Sequence, residues 1–128
     1  MPTVDIIDEA FIVASRRACR AELCPVARWR TWFPQLTLTP YDDRGLDGVR
    51  WRVSGELVGT AEVWLEQYGD GVIVHTYVRA EPATAARALP RRADRWVRRR
   101  YALPLKRHLL GVKDALEAGR QVGEPRVP

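Results

Sequence analysis

The hydrophobic pattern changes period along this chain. Over Thr3–Ala14 the apolar residues Val4, Ile6, Ile7, Ala10, Phe11, Ile12 and Val13 alternate imperfectly, and their β-branched content predicts a strand. Asp5, Asp8 and Glu9 leave part of it solvated. Ser15 then stands where a helix would begin, its hydroxyl free to accept from first-turn amides. In that helix Arg16, Arg17, Arg20 and Glu22 are expected to face water, with Ala18, Ala21 and Leu23 inward. Pro25 stops it or starts the next, a short helix over 26–33 with Val26, Trp29, Trp32 and Phe33 as its apolar face.

Period two follows. Leu36 and Leu38, then Val49, Trp51 and Val53, then Ala61, Val63 and Leu65, then 72–80, continuously apolar at first, predict four more strands. Tyr41 to Gly45 reads as turn chemistry, Gly59 as a bend, and Gly69-Asp70-Gly71 as a hairpin connection. The links are too short for crossovers, so the sheet is antiparallel.

The last third, 91–119, returns to a helical period. Ala93, Val97, Tyr101, Leu105, Leu109, Val112 and Leu116 fall three or four apart on one face. Pro104 either kinks this helix or divides it. Such a stripe needs an apolar surface, and the strands supply one. The expected fold is α+β, a helix-grip arrangement. A curved antiparallel sheet of about five strands packs on a long C-terminal helix, with two short helices after the first strand. One domain spans 3–119, with a short helical turn at 84–89 and a frayed tail at 120–128.

A chain of 128 residues with 46% hydrophobic and 29% charged content is enough for one ordinary core. No apolar run is long enough to span a bilayer, and the acidic start lacks the pattern of a signal peptide, so a cytoplasmic, non-transmembrane protein is expected. Cys19 and Cys24 read as buried reduced thiols. No metal-ligand cluster or phosphate loop appears, so no cofactor and no metal are expected. The net charge of +5 is uneven: 84–119 holds ten Lys or Arg against three Asp or Glu, leaving the remainder slightly acidic.

Certain local phrases, in order, carry a resemblance. They are 8–14 (DEAFIVA) leading into a helix, 29–36 (WRTWFPQL) leading into a strand, 59–66 (GTAEVWLE) followed by Gly69-Asp70-Gly71-Val72, and 112–117 (VKDALE). Together they resemble the START-like superfamily (SRPBCC, birch-pollen-allergen fold). Its polyketide cyclase/dehydrase-like branch is the closest, here shortened by two strands next to Glu56 and Leu57. The resemblance implies a hydrophobic pocket between sheet and last helix that binds an apolar, lipid- or polyketide-like molecule, with cyclase or dehydrase activity in some members. The superfamily has no universal catalytic residue to carry over.

Trp51, Val53, Val63, Leu65, Val74 and Thr76 from the strands, with Tyr101 and Leu105 from the helix, would line that pocket, Thr76 and the Tyr101 hydroxyl anchoring the ligand. The same residues could equally form a filled core. His75 would be an acid or base on a concave face, but Val72, Val74, Thr76 and Val78 make the better inward face and send His75 outward. Asp8, Glu9, Glu56, Glu62 and Glu66 read as solvated strand edges. Arg91, Arg92, Arg95, Arg98, Arg99 and Arg100 crowd one segment. The alternative reading is therefore a basic helix that binds nucleic acid or an anionic membrane surface; a solvated basic face is the plainer one. A shortened sheet also leaves an open edge that a second copy could cover, giving a homodimer.

Overall fold

The period-two segments pair into one antiparallel sheet of order β1-β5-β4-β3-β2. The computed structural model describes residues 3–83, 93–118 and 128. The chain runs β1 (Val4–Ile12), α1 (Arg16–Leu23), α2 (Val26–Trp32), β2 (Leu36–Asp43), a 3-10 turn (Gly45–Asp47), β3 (Gly48–Gly55), β4 (Leu57–Tyr68) and β5 (Gly71–Pro82). It ends in α3 (Ala93–Val97), a π-helical turn (Arg98–Ala102) and α4 (Leu103–Glu117). This is the expected helix-grip fold. The expected turn at 84–89, Arg91, Arg92 and the tail residues 120–127 lie outside the described residues.

Several boundaries move. Tyr41 to Asp43 extend β2 instead of turning, and the chain reverses at the 3-10 turn that follows. Gly59 does not bend the chain. It sits inside β4 opposite Ala80, where a Cβ would meet the Arg79 carbonyl oxygen at 2.2 Å, so the close approach of β5 excludes a side chain there. In α1 the Ser15 hydroxyl accepts from the Ala18 amide at 3.0 Å, as the cap chemistry predicts. Ala21, expected inward, is exposed, and Cys19 takes the buried place beside Leu23.

The last helix is continuous across Pro104, and its hydrogen-bond register changes just before it. The Leu103 amide reaches back five residues to the Arg98 carbonyl. Proline lacks an amide and its ring crowds the preceding turn, so a wider turn beside it relieves both problems without breaking the helix. The stripe then docks: Tyr101, Leu105, Leu109 and Val112 are buried, with Val97 and Leu116 packed partly against the core. Each buried leucine contributes about 2 kcal/mol of transfer free energy.

Helix α4 also covers an edge of the sheet. Lys106 donates to the Glu9 carbonyl at 3.0 Å and Lys113 to the Phe11 carbonyl at 2.6 Å, while the Glu117 carboxylate accepts from the Val13 amide at 2.8 Å. These contacts occupy backbone groups of β1 that a pairing strand would need. The opposite edge, β2, carries Pro40 and a register shift between Pro40 and Asp42. The open edge expected from the sequence is thus blunted on both sides.

Candidate functional site

The inward faces of β1 to β5 meet the last helix and α2 across one buried layer. Within it Ile6, Trp29, Phe33, Leu36, Leu38, Val53, Ala61, Val78, Tyr101 and Leu105 enclose an apolar seam of about 10 Å³. That is room for about one water molecule, against the several hundred Å³ of an ordinary ligand pocket. Aromatic rings fill the rest. Trp29 lies 5.2 Å from Trp51 and 6.3 Å from Phe33, and Phe33 stacks on Tyr101 at 5.6 Å, all between ring centroids. The open hollow that the family resemblance implies is therefore closed in this structure.

Of the lining residues expected from the sequence, Val53, Tyr101 and Leu105 border the seam. Trp51, Val63, Leu65, Val74 and Thr76 are buried in the same layer but do not border it. Sequence reasoning missed Trp29 and Phe33 as walls. Their apolar face was legible, but which way α2 would aim it was not. Among the described residues, the Trp51 indole nitrogen and the Thr76 hydroxyl are buried without a hydrogen-bond partner. A buried polar group left unpaired costs about 1–3 kcal/mol, so this closed layer is not a fully satisfied core.

At one end of the seam lies a polar cluster. Glu56 is the single residue between β3 and β4, and its backbone is tied on both sides: its amide donates to the Gln35 carbonyl at 3.1 Å and its carbonyl accepts from the Ala83 amide at 2.9 Å. Its carboxylate accepts from Arg100 Nε at 2.8 and 2.7 Å and from the Tyr101 hydroxyl. Partial burial acts to raise the Glu56 carboxyl, but the hydrogen bonds from Arg100 and Tyr101 and the Arg100 charge outweigh it and hold it below its ordinary range. Burial, reinforced by the bond to Glu56, pushes the Tyr101 phenol up.

A pH dependence follows from the depressed Glu56 carboxyl. The cluster stabilises the fold fully above the ordinary carboxylate range and loses that contribution as pH falls through the lowered pKa. Wild type should therefore melt above Glu56→Gln at neutral pH, and the gap should close on acidification. Melting curves across the acidic range check this; a gap that is unchanged or widens in acid contradicts it.

Of the other acidic residues, Asp8, Glu62 and Glu66 are paired, which corrects their reading as solvated edges, while Glu9 is exposed as that reading expects. Glu62 meets Arg44 at 2.9 Å and Arg50 at 3.1 Å, and Asp8, facing inward beside Ile6 and Ala10, meets Lys106 at 3.1 Å. Glu66 contacts His75 Nε2 at 2.9 Å; Glu9, on the other side, is 3.3 Å from Nδ1, outside hydrogen-bonding geometry. His75 points outward, away from the seam, yet it is only 7% exposed because Trp64 stacks on it at 4.2 Å. Cys19 and Cys24 are buried and form no disulfide, and burial pushes the Cys24 thiol up to about 11, a protonated, unreactive state near neutral pH.

Among the described residues, no group of three or more His, Cys, Asp or Glu could hold a metal ion. No described helix is long and apolar enough to cross a membrane. Of the arginine segment, Arg95, Arg98 and Arg99 are exposed and have no ion-pair partner among the described residues, whereas Arg100 is engaged with Glu56.

No family model and no curated protein matches the chain. Solved structures do. An Aha1 dimer from Colwellia psychrerythraea superposes with a TM-score of 0.62 at 16% identity, covering 92% of this chain and 99% of that one. TTHA0849 from Thermus thermophilus superposes with a TM-score of 0.55 at 11% identity, covering 91% and 99%. The shared feature is the fold. This chain has a five-stranded antiparallel sheet and a long C-terminal helix in a helix-grip arrangement. At such identities the likeness extends to fold alone.

Proposed function

We propose that this protein binds a small apolar molecule of lipid or polyketide type between the sheet and its last helix, by opening the seam under Tyr101. The observation that carries this reading is the seam itself. All ten lining side chains are apolar or aromatic, and the one hydroxyl among them, on Tyr101, is turned out to Glu56. The roof is a π-helical turn, a geometry common at functional sites and easily shifted by one hydrogen-bond register. The unpaired Trp51 and Thr76 groups lower the cost of leaving the closed arrangement. Opening must come from movement of the segment 93–102, since the strands are locked by their ladders. Any cyclase or dehydrase step would follow from holding a reactive fold of the substrate, because the seam brings no acid–base pair to it.

The test is a titration with N-phenyl-1-naphthylamine, whose emission rises in apolar surroundings. Wild type should bind it saturably. Ala61→Val, whose two added methyl groups crowd the seam, should weaken binding by about tenfold, a loss of about 1.4 kcal/mol. Equal binding by folded Ala61→Val and wild type contradicts the proposal.

A second reading rests on the exposed Arg95, Arg98 and Arg99, with Arg91 and Arg92 shortly before them in sequence: the segment docks on nucleic acid or an anionic membrane surface. Binding to either should fall steeply with salt, and Arg95→Glu with Arg99→Glu should abolish it. Salt-independent binding, or none at low salt, ends this reading. A homodimer through a sheet edge would have to use β2 despite Pro40, since α4 occupies β1.

A further inference from the structure

We infer that the Glu56 carboxylate stands in for the carboxylate of a ligand, so that the molecule taken into the seam is an apolar carboxylic acid in its ionised form. This rests on reading the seam as a binding site. Two consecutive residues of the π turn, Arg100 and Tyr101, aim a guanidinium and a phenol at one carboxylate. Arg100 Nε reaches both oxygens, at 2.8 and 2.7 Å, and Tyr101 completes the set. A charged donor and a hydroxyl converging on one anion make a built carboxylate receptor.

That receptor lies where an amphipathic anion would need it. The Tyr101 ring is a wall of the dry seam and is 2% exposed, while the Arg100 side chain is 44% exposed. A ligand tail in the seam would leave its head group at this half-wet rim, where an ionised group keeps part of its hydration. Exchange is balanced. If Glu56 swings to solvent as a ligand carboxylate arrives, Arg100 and Tyr101 keep an anionic acceptor, and no buried donor is orphaned. The Glu56 backbone need not move, since its bonds to Gln35 and Ala83 are independent of the side chain. The exposed Arg95, Arg98 and Arg99 nearby in sequence add a positive field that favours an anion over a cation. Neutral or cationic head groups gain nothing from displacing Glu56. The side chain is then an internal competitor, and it selects for carboxylates strong enough to displace it.

The experiment compares dodecanoate, dodecanol and dodecyltrimethylammonium, below their micellar concentrations, on wild type, Glu56→Gln and Arg100→Gln. Circular dichroism verifies folding, and calorimetry reads affinity. Removing the internal carboxylate should tighten dodecanoate by about tenfold in Glu56→Gln and leave dodecanol within about twofold. Arg100→Gln should erase the preference of dodecanoate over dodecanol. If the probes bind but Glu56→Gln leaves dodecanoate unchanged or tightens all of them alike, the carboxylate assignment is wrong and the seam reading stands. If none binds any of the proteins, the seam reading falls and takes this inference with it.

Discussion

Leu105→Ala is expected to lower the unfolding free energy by about 3 kcal/mol. Leu105 is 1% exposed and lies where the last helix meets both the sheet and α2. The truncation removes the transfer free energy of the lost methyl groups and enlarges a seam that already holds about 10 Å³ of empty space. Its walls are bulky rings and strand side chains with little freedom to collapse, which places the cost in the middle of the range for buried leucines. Urea denaturation should show a lower midpoint at an unchanged slope. A loss below about 1 kcal/mol would mean that the stripe is not docked as described.

The second large effect is at Gly48. This residue opens β3 with φ +121 and ψ −153, a conformation that side-chain-bearing residues rarely adopt. It also faces β4 so closely that a Cβ would lie 1.9 Å from the Val63 carbonyl oxygen. Gly48→Ala therefore combines backbone strain with a clash against a strand that cannot retreat, and should cost about 3 kcal/mol or more. Gly45 provides the comparison. It has φ +62 but open space around it, so Gly45→Ala should cost only about 1 kcal/mol. Equal losses at the two positions would mean that β3 and β4 are not so closely apposed.

The docking stripe was legible because helical burial repeats locally. Tyr101, Leu105, Leu109 and Val112 declare their common face by spacing alone, and the alternation in β3 to β5 declares theirs. The π turn was not legible, since a change of hydrogen-bond register leaves no mark on hydropathy; Pro104 was its one hint. Asp8 was misread through its charge, although its parity with Ile6, Ala10 and Ile12 placed it inward. His75 was rightly turned outward by parity. Its burial depends on Trp64 and on the pairing of β4 with β5, a contact that one strand cannot reveal. Glu56 shows the same limit at the candidate site. A carboxylate in a one-residue connection looks solvated until the last helix delivers Arg100 and Tyr101 to it. The seam's small volume was hidden as well, because it depends on how far α2 inserts Trp29 and Phe33 beneath the helix.

The most direct check is a methyl-labelled NMR titration with dodecanoate. If the molecule enters between sheet and helix, the methyl signals of Leu36, Leu38, Val53 and Leu105 shift together and saturate, while outward-facing Ile7 and Val58 stay in place. Shifts confined to Ile7, Val58 or other surface methyls, or no shift at all, would contradict it.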